Sequence, residues 1–267
     1  MAAFTAKDVQ RLRQHTGAGM MDAKQALTDA DGDFDAAAKL LQERGLASTA
    51  KRSGRESGDG AVAVGVADGV AALVELRCET DFVAKSADFA NLAQDLADLV
   101  AAKGEDAVAA RAGEIDQLKV SLKENIQLGR VVRFEAAPGN VLDTYLHVQQ
   151  DRGVNAVAVE LEGGGKELAH DIALHIAFAR PAHLTRDEFP PDVVEEQRAL
   201  FETMSRNEGK PEQALPKIVE GRLSGFFKAT PGGALLEQGF SRDDKTSIQQ
   251  LLGSARVVRF AQIVIGE

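Results

Sequence analysis

The chain has 267 residues, a net charge of −10, 44% hydrophobic and 27% charged residues, and one cysteine, Cys78. That length suits about two domains with a real core, while the acidic balance disfavours a nonspecific nucleic-acid binder, which needs a basic footprint. A lone cysteine excludes an intrachain disulfide and fits a reducing compartment, no apolar run reaches membrane-span length, and no charged-then-apolar leader pattern precedes the first helix, so a cytoplasmic protein is expected.

Taken in order, Thr5 can cap a first helix with Asp8 as capping-box partner. Val9 and Leu12 form its apolar stripe and Thr16-Gly17-Ala18-Gly19 ends it. A second helix runs from about Met20 to Ala30, closed by Asp31-Gly32-Asp33. A third carries Phe34, Ala37, Leu40 and Leu41 and is expected to stop at Gly45. Residues 1–47 therefore read as a three-helix module with a small core. Met20 and Met21 lie about 100° apart on a helix, so at least one is exposed. Met suits adaptable protein-binding surfaces, but one core and one incidental surface methionine would read the same. Residues 48–60 hold Ser, Gly and the cations Lys51, Arg52 and Arg55, and read as a flexible tether rather than a phosphate-binding patch.

Residues 61–139 start with two short strands around Ala67-Asp68-Gly69. Val70 to Leu76 is the second, and Asp88 to Ala102 a helix with Phe89, Leu92, Leu96, Leu99 and Val100 on one side. Between them lies Arg77-Cys78-Glu79-Thr80-Asp81-Phe82-Val83-Ala84-Lys85. A lone loop Phe is usually packed, yet loops on rigid scaffolds also carry function. Ile115, Leu118, Leu122 and Ile126 mark a further helix, and residues 130–134 a strand.

An internal repeat bears on Phe82. Val74-Glu75-Leu76 recurs as Val159-Glu160-Leu161, 85 positions on, while the helix around Leu92 to Ala101 matches Leu168 to Ala177, 76 positions on. The first copy thus has nine more residues (85 minus 76) between strand and helix, and they include Asp81-Phe82. A scaffold that closes without them makes an apolar tip there a better candidate for touching a partner than for filling the core.

The second copy takes residues 140–180 and 229–267. Leu142, Thr144, Leu146 and Val148 alternate with Asp143, Tyr145 and His147, Val154 to Leu161 returns, and Glu167 to Ala179 is a helix. Residues 256–260 repeat residues 130–134 letter for letter, and Ile248 to Leu252 echoes Ile126 and Leu128. The pattern predicts an α+β fold: the helical module, then two strand–strand–helix–helix–strand halves. Residues 181–228 form an inserted antiparallel helical hairpin whose second helix starts close to Pro216. It is expected to pack on a partner, on a second copy or on the core sheet.

No pattern supports catalysis. Gly163-Gly164-Gly165-Lys166 lacks phosphate-loop spacing, with Glu160 where the first Gly belongs and Glu167 after the Lys, and reads as a turn. His170 and His175, five apart, do not share a face for an HExxH-type zinc site, and Cys78 has no neighbouring His.

Two stretches carry a family resemblance. Residues 13–24, RQHTGAGMMDAK, and residues 78–85, CETDFVAK, resemble the two signatures of elongation factor Ts, while Gly209-Lys210-Pro211 and residues 218–222 look like its hairpin. That family exchanges guanine nucleotide on elongation factor Tu. The resemblance implies a ubiquitin-associated-like N-terminal module, partner-binding Arg13, Met20, Met21, Asp22 and Lys24, and an exchange loop of Thr80, Asp81, Phe82 and Val83. In that loop Phe82 wedges near the magnesium and phosphate site of Tu. It further implies a contact through Tyr145 and His147, and a coiled-coil hairpin used for partner, homodimer or heterotetramer contacts. No bond chemistry, cofactor, metal, nucleic acid or membrane is implied. The glycine usual after the His is absent at Val148, and Ala23 stands where many relatives have Cys. The further C-terminal helical module of some relatives is expected to be absent.

Overall fold

The computed structural model describes residues 4–50 and 52–267, so Lys51 of the basic stretch lies outside them, as do residues 1–3 of the N-terminal module. The chain begins α1 (Ala6–Thr16), α2 (Met20–Asp29), α3 (Phe34–Ala50), β1 (Asp59–Ala67) and β2 (Val70–Cys78). It continues α4 (Asp81–Ala84), α5 (Ala87–Lys103), α6 (Ala112–Leu122), β3 (Gln127–Glu135), β4 (Val141–Gln149), β5 (Arg152–Glu162) and α7 (Lys166–Ala179). It closes with α8 (Pro191–Asn207), α9 (Leu215–Phe227), β6 (Gly239–Phe240), β7 (Asp243–Ser247), α10 (Ile248–Leu252) and β8 (Arg256–Val264). The fold is α+β, with every paired strand antiparallel.

The first three helices bury Val9, Leu12, Ala23, Ala26, Leu27, Ala37 and Leu41 together. The Thr5–Asp8 capping box starts α1, and Gly17 at φ 68 ends it in the left-handed conformation. The expected stop of α3 at Gly45 is wrong: the helix runs on to Ala50 and takes up the start of the tether. Gly45 serves contact instead, because a Cβ there would lie 2.5 Å from Val120 Cγ1 on α6.

Two three-stranded sheets, ordered β1-β2-β3 and β4-β5-β8, form the core. β2 is buried on both faces. Alternate residues Ala72, Val74 and Leu76 meet Phe89, Leu92, Leu96 and Val100 of α5. The intervening Ala71 and Leu73 meet Ala156, Ala158 and Ile263 of the other sheet. β5 repeats this, with Val157, Val159 and Leu161 against Ala169, Ile172, Ala173 and Ile176 of α7. The layers are helix, sheet, sheet, helix.

Both sheets bury a glutamate at an irregularity of their central strand, Glu75 and Glu160, each 1% exposed. The third strands are not equivalent. Leu73 pairs with Val132, so offsets of 85 and 126 would pair Ala158 with Val258, but Ala158 pairs with Ala261, three residues on. The letter-for-letter repeat therefore sits at a different register. The helix expected to reach Ile126 ends at Lys123, in the left-handed region at φ 61, and Ile126 is buried beyond it. Residues 248–252 are helical whereas Leu128 is in β3, so that echo has no common secondary structure.

α8 and α9 run antiparallel, tied by Arg198–Glu220 and Arg222–Glu208 pairs at 3.4 and 2.7 Å. Pro216 is the second residue of α9, where its missing N–H costs nothing. The inner side buries Phe189, Val219, Leu223, Phe227 and Ala234. Leu200 and Met204, one turn apart on α8, are exposed.

Candidate functional site

The stretch between β2 and α5 is not all loop: it contains the short helix α4. α4 is one turn long, too short to be stable by itself, so its surroundings hold it. Thr80 is its N-cap, with Oγ1 accepting from the Val83 N–H at 3.4 Å. Ala84 is buried and Val83 packs on the α5–β2 core. Phe82 points the other way and is 83% exposed. Burying a Phe is worth about 1.5–3 kcal/mol, which this position forgoes in the free chain.

The polar groups around α4 are pinned from elsewhere in the chain. Glu124 Oε2 accepts from the backbone N–H groups of Glu79 and Thr80 at 3.0 and 3.1 Å, and Glu124 Oε1 accepts from Thr80 Oγ1 at 2.5 Å. In return Glu79 Oε1 accepts from the Asn125 N–H at 2.7 Å. Asn125, 2% exposed, donates through Nδ2 to the carbonyl oxygen of Arg55 at 2.7 Å. Lys85 Nζ donates to Asp81 Oδ2 at 2.5 Å across one helical turn. That hydrogen bond holds the Asp81 carboxyl below the usual carboxylate range, so Asp81 presents a negative charge beside Phe82.

The N-terminal candidates Arg13, Met20, Met21, Asp22 and Lys24 are all exposed. Met20 and Met21 are 49% and 71% exposed, so neither serves the core. Asp22 lies 3.8 Å from Lys123 Nζ. Lys123 precedes Glu124, so a short connection between α6 and β3 touches both the α2 start and the α4 mount.

Tyr145 and His147 stand on one face of β4, with Tyr145 Oη and His147 Nδ1 3.3 Å apart. Tyr145 packs partly into the α7 core, while His147 and the neighbouring Val148 are exposed. β4 and β5 join through Gln150 and Asp151, both at positive φ, which is the type I′ hairpin arrangement. Arg152 at its end bonds Asp59 and donates to the Gly60 carbonyl oxygen at 2.6 Å, and its charge also favours ionised Asp81. The structure thus links α4 both to α2, through Lys123 and Glu124, and to the Tyr145–His147 hairpin, through Arg152.

Sequence reading missed Glu79, Glu124, Asn125 and Arg152 as supports and Val148 as an exposed apolar neighbour. Only the alternation of β4 carried a signal, by placing Val148 beside His147.

The remaining candidates separate. His170 is exposed and 2.8 Å from Asp143, whereas His175 is buried between Gln238 and the Ser241 N–H, and burial pushes its pKa down. Cys78 is buried, its thiol donates to the Thr80 carbonyl oxygen, and burial pushes its pKa up to about 12. The three glycines before Lys166 turn β5 into α7, with Gly165 as N-cap. Among the described residues no group of His, Cys, Asp and Glu has the arrangement of a metal site, and no helix is long and apolar enough to cross a membrane.

A family model described as Elongation factor TS matches residues 79–267. The chain is 45% identical to "Elongation factor Ts" of Clavibacter michiganensis subsp. michiganensis (strain NCPPB 382), and 46% identical to that of Acidothermus cellulolyticus (strain ATCC 43068 / DSM 8971 / 11B). It is 44% identical to that of Mycobacterium ulcerans (strain Agy99). Each match covers 100% of both chains. With matches of that length and identity, the chain belongs to the elongation factor Ts family of translation elongation factors.

Proposed function

We propose that the chain binds elongation factor Tu carrying GDP and promotes GDP release, with Phe82 disturbing the Mg²⁺ and phosphate site of that partner. The observation that carries this reading is an 83% exposed Phe82 on a helix too short to stand alone, yet fastened at both ends. A wedge must keep its shape under load, and binding energy can drive release only if it is larger for the emptied partner than for the loaded one. The reaction makes and breaks no covalent bond, and the acidic chain is no obstacle to binding a protein surface.

In this reading residues 1–47 are a ubiquitin-associated-like module that makes the first contact through Arg13, Met20, Met21, Asp22 and Lys24. Thr80, Asp81, Phe82 and Val83 act at the nucleotide site. Tyr145 and His147 meet a further domain of Tu, extended by exposed Val148. The two sheets, alike in strand order, are halves of a duplicated core, at 61–139 and at 140–180 with 229–267. The hairpin at 181–228 offers Leu200 and Met204 to Tu or to a second copy, and the protein works in the cytoplasm.

The test is release of a fluorescent GDP analogue from a bacterial elongation factor Tu by substoichiometric amounts of the chain. The wild type should accelerate release with multiple turnovers, and Phe82→Ala should lose about tenfold or more of that rate. Complex formation without acceleration would refute exchange and leave a passive binding module.

A further inference from the structure

We infer that Glu124 is the positioning residue for Phe82: its carboxylate sets the cap of α4 and so holds the wedge at its working angle. This rests on the exchange reading above.

A hydroxyl has one proton to give. Thr80 Oγ1 gives it to Glu124 Oε1 at 2.5 Å, which leaves a lone pair facing the Val83 N–H at 3.4 Å. Glu124 thereby chooses the Thr80 rotor that caps α4. The second carboxylate oxygen takes the N–H groups of Glu79 and Thr80, immediately before the helix. Those two groups have no strand partner, because β2 pairs with β3 only as far as Arg77 and with β1 only as far as Cys78. Hydrogen bonds to an ionised acceptor are among the stronger ones in proteins.

The clasp is reciprocal. Glu79 Oε1 takes the Asn125 N–H, so each carboxylate holds the backbone next to the other. Lys123 sits at φ 61, an unfavourable conformation for a side chain of this type, and its ammonium meets Asp22 of α2. The three residues after α6 therefore touch the N-terminal helices with one side chain and the wedge mount with the next.

A residue that only stabilised the fold would weaken every activity alike. A positioning residue should change how fast the bound complex releases GDP while leaving its formation nearly unaltered. It should also act through Phe82 and be redundant without it.

The experiment measures GDP-analogue release against chain concentration for wild type, Glu124→Ala, Glu124→Gln, Phe82→Ala and the Phe82→Ala/Glu124→Ala double variant. Amide hydrogen exchange is followed on the free proteins. Glu124→Ala should lower the saturating rate about tenfold with the half-saturating concentration within about twofold. Glu124→Gln, which keeps one acceptor oxygen, should fall between. In the Phe82→Ala background, adding Glu124→Ala should cost less than about twofold. In the free chain Glu124→Ala should speed amide exchange at residues 80–84 by about tenfold or more, with β2 and β5 unaffected.

Unchanged exchange at residues 80–84 would overturn the clasp whatever the chain does to Tu. Losses that multiply in full across the double variant would overturn its action through Phe82. An inactive wild type with normal protection at 80–84 would refute the exchange reading, and the positioning role with it.

Discussion

Glu160 offers a quantitative check on how the two sheets are joined. It is 1% exposed, and its oxygens accept from the Ala137 N–H at 2.8 Å, Asn140 Nδ2 at 2.7 Å and Arg259 Nε at 2.7 Å. It thus ties β5 to the β3–β4 connection and to β8. Glu160→Ala removes the acceptor of the first two donors, in a connection where Ala137 is exposed and Asn140 half-buried. Arg259, whose side chain is 42% exposed, can turn to water. No buried charge is left behind, so the cost is that of the lost hydrogen bonds to a charged acceptor, each worth about 1.5–3 kcal/mol, and about 3 kcal/mol in all is expected. For a chain of this size that lowers Tm by about 6–12 °C. Glu160→Gln keeps one acceptor oxygen and should lose about half as much.

The pH dependence supplies a second check. Burial alone would raise the Glu160 pKa, but the hydrogen bonds from Ala137, Asn140 and Arg259 outweigh it and hold it below the ordinary 4.5. A depressed folded pKa stabilises above the unfolded value and loses that contribution as pH falls through the folded one. The Tm gap between wild type and Glu160→Gln, measured by calorimetry, should therefore be full at neutral pH and narrow below about pH 4. A Glu160→Ala shift of less than about 2 °C, or a wild type–Gln gap unchanged at pH 3, would refute the reasoning.

Cys78 is fully buried with its thiol pKa pushed up to about 12, so a thiol reagent should label the native chain only as fast as it unfolds; prompt stoichiometric labelling would contradict that. At Gly153 a Cβ would lie 2.1 Å from the Val62 carbonyl oxygen, so Gly153→Ala must part the sheets at the β4–β5 turn. It should cost about 2 kcal/mol in denaturant unfolding. Leu146→Ala should not rescue it, since the closest atom is backbone, and stability within error of wild type would sink the argument.

What was legible in the sequence followed local chemistry. Thr5 with Asp8, Asp68-Gly69 and Pro216 act within a few residues of themselves, and each sits where its type requires. The helical spacing of α5 likewise reflects one element facing one core, and the alternation of β4 sends Leu142 and Leu146 between the sheets and Tyr145 toward α7. Misreadings arose where a residue answered to a distant partner. Gly45 is a helix breaker by propensity, but here it makes room for Val120. Lys123 takes a conformation usually left to glycine, and so ends α6 where the Leu122–Ile126 spacing suggested continuation.

The repeat of residues 130–134 at 256–260 was visible, but its three-residue slip in register was not, because pairing depends on the neighbouring strand. At the candidate site, Phe82, Met20 and Met21 could be named from apolarity in the wrong place. Their support could not: Glu124 reaches Thr80 across 44 positions and Arg152 reaches Asp59 across 93. No local pattern encodes such contacts.

The central claim is that Phe82 drives release while other surfaces provide binding. Its most direct test is the Phe82→Ala chain titrated against elongation factor Tu loaded with a fluorescent GDP analogue, with complex formation followed separately on the same samples. The account predicts a complex that forms with affinity within a few-fold of wild type but releases nucleotide about tenfold more slowly or worse. Release at the wild-type rate from that complex would contradict it.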